Sequence, residues 1–183
     1  RIDGQPRFVR ARRGVILATG GFIMNEEMTR QYAPEAQVVG THLANIVSLF
    51  DLCDRPPHSM GDGEVLDLGG KRVRMLETPH VPHGWDAHLL HEEATQTLLC
   101  GDLFTATGES PAATDADIVG PGIPAEDLLG ATCLTPSTAP TIAKLADLGA
   151  ETLALMHGPV FTGDCAGALS ALADDYARRL ADA

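Results

Sequence analysis

The sequence predicts an α/β fold, and three observations carry that reading. Strand-length apolar runs end at glycines or turn residues, amphipathic helical segments follow several of them, and three of the strands run directly into a histidine or an aspartate. The first strand, turn and helix come early. Phe8-Val9-Arg10-Ala11 alternates like a strand, and Gly14 to Thr19 reads as a buried strand that ends at Gly20-Gly21. Asn25 then caps a helix with Glu26 and Glu27 in its first turn, where carboxylates suit the positive helix end, and Pro34 stops it after Tyr32.

Gln37 to Gly40 reads as the next strand. Glu64 to Leu68 and Arg72 to Leu76 form a hairpin-like pair around Gly69-Gly70. Ala87 to Leu90 and Thr97 to Leu99 make another pair, and the second of these leads into Gly101-Asp102. The segment from Thr105 to Thr138 is rich in Gly, Pro, Ser and Thr, which predicts a long functional loop or flap with one short helix over Pro124 to Leu129. An amphipathic helix from Thr138 to Leu148, a strand from Thr152 to Met156 and a closing helix from Gly167 to Leu180 complete the chain.

Composition narrows the function classes. The chain has 183 residues, 44% of them hydrophobic, enough for one substantial core. A net charge of -12 gives no basic face to displace counterions from phosphates, so no nucleic-acid partner is expected. No apolar run approaches the roughly 20 residues of a membrane span, so no membrane partner is expected either. The charge is uneven: residues 1–33 carry six Arg against three carboxylates, a balance of +3 that leaves -15 for the rest. The four cysteines form no CxxC pair, which predicts free buried thiols in a reducing cytoplasm. The start at Arg1, without Met or a signal pattern, suggests that the natural start is absent. A small-molecule substrate of unknown identity is the expected partner, with oligomeric state left open.

His83 follows the Thr78-Pro79 turn, Asp102 follows Leu98 to Gly101, and His157 follows Leu153 to Met156. Imidazole nitrogens and a carboxylate with two oxygens suit zinc or non-haem iron, and three such strand ends in order point to a metal site. The runs Thr78-Pro79-His80-Val81-Pro82-His83-Gly84-Trp85, Leu99-Cys100-Gly101-Asp102-Leu103-Phe104 and Leu155-Met156-His157-Gly158-Pro159 resemble the second half of the metallo-β-lactamase superfamily, closest to its oxygen-binding di-iron branch.

The resemblance implies a truncated metallo-β-lactamase-like αββα sandwich over 34–183. It makes His83 the third metal-binding His, Asp102 the bridging Asp and His157 the last His, with zinc or iron as cofactor. The spacings of 19 and 55 residues fit those roles. His80 competes for the first of them, and His83 is preferred for its interval to the Gly-Asp pair. The family's HxHxDH motif has no counterpart in the sequence, so half of the ligand set is missing and full two-metal hydrolysis or oxygen chemistry is not expected. The alternative reading is a recombined, non-catalytic domain with idle site residues.

Residues 1–33 resemble another family. Ala11 to Phe22, with its Ala18-Thr19-Gly20-Gly21-Phe22 run, followed by Asn25 to Met28, is similar to the FAD-adjacent segment of the fumarate reductase and ketosteroid dehydrogenase flavoproteins. This implies a flavoprotein-like strand-helix unit at the N-terminus, able to stand where the metallo-β-lactamase fold has its ligand-bearing loop and first helix. A second alternative is therefore a fragment of an FAD-dependent oxidoreductase. The chain has no G-x-G-x-x-G turn for a pyrophosphate, so FAD binding is not expected. Of the other polar residues, His88 and His91 are expected to face solvent or the flap, His42 and His58 to lie on the surface, Asp115 and Asp117 to form a solvated acidic patch, and Asp164 to cap the last helix. Trp85 and Phe104 are expected to be packing residues beside the site.

Overall fold

A computed structural model describes residues 37–52 and 55–183, together with residues 27, 30 and 31. The flavoprotein-like unit predicted for 1–33, and its substitution for a ligand loop, lie almost wholly outside the described residues.

The first described strand, β1 (Val39–Gly40), pairs in parallel with β2 (His58–Ser59). Between them runs a helical stretch, α1 (His42–Ala44), a π-helical segment over Asn45–Leu49, and α2 (Phe50–Leu52). Thr41 caps its start by accepting the Ala44 amide at 3.1 Å.

The main sheet has seven strands in the order β3-β4-β5-β6-β8-β9-β7. These are β3 (Val65–Asp67), β4 (Arg72–Glu77), β5 (His88–Glu92), β6 (Thr97–Leu99), β7 (Ala113–Thr114), β8 (Thr152–Ala154) and β9 (Val160–Phe161). The predicted hairpins are present: β3 runs antiparallel to β4, and β5 antiparallel to β6. Asp67 accepts the Gly69 and Gly70 amides at 2.8 and 3.2 Å, which closes the β3–β4 turn.

Three helices accompany the sheet: α3 (Val119–Leu129), α4 (Thr138–Ala146) and α5 (Cys165–Asp182). Leu89, Leu98, Leu153 and Phe161 of the sheet pack with Ile142 and Leu145 of α4 and Leu169, Leu172 and Tyr176 of α5 in one core cluster. Burying each of these large apolar side chains contributes about 1.5–3 kcal/mol. The period of α4 and α5 made both legible; α5 begins two residues before the predicted Gly167, because the Asp164 side chain accepts the Gly167 amide at 2.9 Å as its N-cap.

The segment from Thr105 to Thr138 is more ordered than a loop or flap. It holds β7 and an α3 of 11 residues, where only Pro124 to Leu129 was expected. The Gly-Pro-Gly run that reads as a loop is helical because Asp117 accepts the Val119 and Gly120 amides at 2.9 and 3.1 Å. Asp117 is exposed, as expected, and in addition starts the helix through these two bonds. Gly130, left-handed at φ 53°, ends the helix by donating its amide to the Glu126 carbonyl.

Candidate metal centre

Strand direction assembles the site. Each of β4 and β6 runs antiparallel to β5, and β8 runs parallel to β6, so all three point the same way and release the chain at one edge of the sheet. In the β6–β8 register Leu99 stands opposite Ala154, and three residues beyond each are Asp102 and His157. The pairing continues past the strands, with Cys100 donating to the Ala154 carbonyl at 2.9 Å and Met156 to the Gly101 carbonyl at 3.1 Å.

Beyond β4 the chain turns through Thr78–Trp85 to deliver His83. Buried Thr78 accepts the Val81 amide on its carbonyl at 2.8 Å and donates its hydroxyl to the Val81 carbonyl at 3.0 Å. Cys133 donates its amide to the Pro82 carbonyl at 2.7 Å, tying the turn to the chain after α3.

The three residues meet at the Asp102 carboxylate. His83 Nε2 lies 2.7 Å from Oδ2, and His157 Nε2 lies 3.3 Å from Oδ1. The second contact is an ion-pair distance without hydrogen-bond alignment, since the buried Oδ1 has no hydrogen-bond partner among the described residues. His83 Nδ1 stands 3.0 Å from the Ala131 carbonyl, an acceptor only, so Nδ1 carries the proton. Nε2 of a neutral His83 then presents its lone pair to a carboxylate oxygen, an arrangement that needs a proton or a cation between them. Burial opposes a charge on this ring, but the Asp102 and Ala131 hydrogen bonds and the Asp102 and Glu126 charges outweigh it and raise the pKa of His83.

A backbone carbonyl on the far ring nitrogen is the partner that metal-binding histidines use to fix tautomer and orientation. With the bare Asp102 Oδ1, it makes the donor set suitable for one cation. Among the described residues, however, no group of three or more His, Cys, Asp or Glu encloses a space ready for an ion. The 2.7 Å contact accounts for this at Asp102, because donors about 2.1 Å from a shared ion stand roughly 3.0–3.4 Å apart.

Two left-handed residues shape the loop: Gly101 at φ 53° and Phe104 at φ 61°. Phe104, 3% exposed, packs in the core as expected and lines the same cavity as Asp102, and its strained backbone belongs to the site loop. Trp85 is 61% exposed and lies against the His83 ring, with centroids 4.5 Å apart and planes tilted by 33°. His80 is exposed and borders neither cavity at the site, so it is His83 that the fold brings to Asp102.

Comparison with solved structures confirms the architecture. A rubredoxin oxygen:oxidoreductase from Desulfovibrio gigas superposes with TM-score 0.59 and 20% identity over 79% of this chain and 37% of its own. A histidine-to-alanine mutant of the flavo di-iron protein from Thermotoga maritima gives 0.64 and 16% over 82% and 38%. A metallo-beta-lactamase from Pontibacter korlensis gives 0.53 and 14% over 81% and 62%. The fold is the metallo-β-lactamase fold. The chain spans well under half the length of the oxidoreductase and of the di-iron protein, and about three-fifths of the metallo-β-lactamase. No protein-family model and no curated protein matches the sequence.

His91 does not face solvent: it is 5% exposed. His88 is half-buried and lines the cleft that also borders His83 and Asp102. Burial lowers the pKa of His88, against the pull of Asp86 and Glu77. His42 and His58 are on the surface. No helix among the described residues is long and apolar enough to cross a membrane.

A cavity of about 200 Å³ opens beside Asp102, His83 and His157 and is also lined by Glu126, Thr132 and Tyr176. Sequence reasoning passed over these last three. Thr132 donates its amide to Glu126 Oε1 at 3.0 Å and its hydroxyl to Oε2 at 2.9 Å, and the Tyr176 hydroxyl lies 3.2 Å from Oε2. Nothing local in the sequence links positions 50 residues apart, so only the fold reveals the cluster.

Proposed function

We propose that this chain is a metallo-β-lactamase-fold domain in which His83, Asp102 and His157 bind a single zinc or iron ion and act on a small-molecule substrate. The observation that carries this is the His83 ring: its Nδ1 is committed to the Ala131 carbonyl, while its Nε2 faces an Asp102 carboxylate whose second oxygen is buried without a partner. Mixed imidazole and carboxylate donors accept zinc or iron, and the di-iron proteins among the structural neighbours favour iron. A bound ion would supply Lewis acidity toward a water or a substrate oxygen. The chain's own part is to hold three donors on one sheet edge, to keep His83 in one tautomer, and to shield one side of the site with Phe104.

Three donors without HxHxDH support one weakly held ion and not a two-metal centre. A second reading, a folded domain with inherited but idle site residues, is favoured by that missing motif and by the closed His83–Asp102 contact.

Trp85 is the chain's one tryptophan and lies on His83, which makes its fluorescence a reporter of the site. Titration with Zn²⁺ or anaerobic Fe²⁺, together with elemental analysis of protein purified without a metal-binding tag, tests the first reading. A saturable fluorescence change at about one equivalent, lost in His83→Ala, Asp102→Ala and His157→Ala, is expected. A triple variant that binds like the parent would overturn the assignment, and a cooperatively folded protein that binds no metal would establish the second reading.

A further inference from the structure

The cavity beside Asp102 has a second polar cluster on its wall, and its size and chemistry restrict what can enter. Much of the lining is apolar, including Phe104, Ile123, Leu129 and Leu172. Glu126 is held by the Thr132 amide and by the paired Thr132 and Tyr176 hydroxyls but, among the described residues, forms no ion pair with a cation. Asp175, also on the wall, differs: Arg179 Nε holds it at 2.7 Å and Arg178 pairs with it too, so its charge is answered.

The Thr132 and Tyr176 oxygens are also 2.7 Å apart. Two hydroxyl protons serve three short contacts, so one hydroxyl donates to the other and that one donates to Glu126 Oε2, while the Thr132 amide holds Oε1. The Tyr176 hydroxyl remains neutral, because burial pushes its pKa up to about 12. The carboxylate is left as a held acceptor, with lone-pair capacity beyond these two donors.

We propose that this cavity is a ligand subsite for a compact neutral or cationic molecule, about one six-membered ring with a short arm, whose hydrogen-bond donor is read by Glu126. The inference rests on the reading of the Asp102 cluster as the reacting end of the same site. Size decides the first half of the claim: a cavity of about 150 Å³ holds benzene, whereas drug-sized ligands occupy about 300–1,000 Å³. At about 200 Å³ the space admits a ring and a few further atoms, so of a larger substrate only a part of that size fits inside it. Charge decides the second half. An acceptor-only carboxylate without a cation repels an anionic ligand end and favours an alcohol, amine or amide N–H.

The test is methyl-labelled NMR of the full chain, following Ile123 and Leu172, titrated with benzylamine, benzyl alcohol and benzoate, each with and without Zn²⁺. Saturable shifts at both methyls with the amine and the alcohol, and none with benzoate, are expected. Glu126→Gln replaces the carboxylate with an isosteric amide that also donates; it should weaken benzylamine by roughly tenfold or more and admit benzoate. A purely structural tie between α3 and α5 would not change that ranking.

Tyr176→Phe, which removes one hydroxyl from the cluster that holds Glu126, serves as the second variant and should weaken discrimination against benzoate in the same direction. Absence of shifts with all three probes, or an unchanged ranking in a folded variant, would overturn the proposal. A missing Trp85 response to zinc with probe binding intact would refute the metal reading and leave the subsite standing. A zinc response without probe binding would refute the subsite alone.

Discussion

Glu92 offers the sharpest test of how the sheet is held, because one carboxylate closes the β5–β6 turn. It is 8% exposed, accepts the Ala94 and Thr95 amides at 3.0 and 2.8 Å, accepts the Thr95 hydroxyl, and pairs with Lys71 at 3.2 Å. The Thr95 hydroxyl is the strongest influence, and against the cost of burial these contacts bring its pKa from 4.5 down to about 2. Glu92→Gln keeps the shape and one acceptor oxygen but cannot ionise. Hydrogen bonds to a charged group are worth about 1.5–3 kcal/mol each, and a neutral acceptor recovers part of that, so a net loss of about 2 kcal/mol is expected at pH 7. For a chain of this length that is a fall in Tm of roughly 4–8 °C.

The sign of the pH dependence follows from the direction of the shift. A carboxylate with a depressed folded pKa stabilises fully above its unfolded pKa, and the contribution disappears as pH falls from about 4.5 toward 2. Circular-dichroism melts of parent and variant at pH 7, 4 and 3 should therefore show a gap that narrows with acid. Equal gaps at pH 7 and pH 3, or none at pH 7, would refute the argument that the ionised carboxylate organises the turn.

Leu98, fully buried on the central β6, should cost about 3 kcal/mol as Leu98→Ala, read as a shift of the denaturant midpoint at unchanged slope; a loss below 1 kcal/mol would mean that the core collapses around the gap. Gly101→Ala places a side chain at φ 53° with its Cβ 3.5 Å from Leu89 Cδ2, so conformation and not space sets a cost of about 1–2 kcal/mol. Because Asp102 is the next residue, zinc binding followed by Trp85 fluorescence should weaken beyond what that stability loss explains, and an unchanged titration would count against the loop's role. Burial, with the nearby Cys165 thiol, pushes Cys100 up to about 12 against one hydrogen bond that lowers it, so mass-mapped labelling at pH 8 should modify the part-exposed Cys133 first. Labelling of Cys100 at the rate of Cys133 in the folded protein would contradict that burial.

Much of the fold was legible because its signals are local. The Gly69-Gly70 turn, the helical period of α4 and α5 and the acidic cap at Asp164 each depend on residues within a few positions of one another. Where the signals misled, contacts had overridden composition: Asp117 turns the Gly-Pro-Gly run into the first turn of α3, and packing on β5 buries His91 and half-buries His88, which stand on opposite faces of the strand.

The site divides along the same line. Asp102 and His157 could be read from sequence because each follows its own strand by three residues, and parallel register converts equal offsets into spatial contact. The choice between His83 and His80 depended on interval alone, and it is the turn through Thr78 and Pro82 that carries one to the carboxylate and leaves the other exposed. The Ala131 carbonyl that fixes the His83 tautomer has no sequence signature, since every residue carries one, and Glu126 meets Tyr176 only because α3 and α5 pack side by side. The parts that decide what this site can bind are therefore the parts that packing, and not motif, supplies. A motif match alone would rank a chain with His83, Asp102 and His157 by its missing HxHxDH, yet the backbone acceptor on His83 and the bare Asp102 oxygen are features that a metal titration can probe directly.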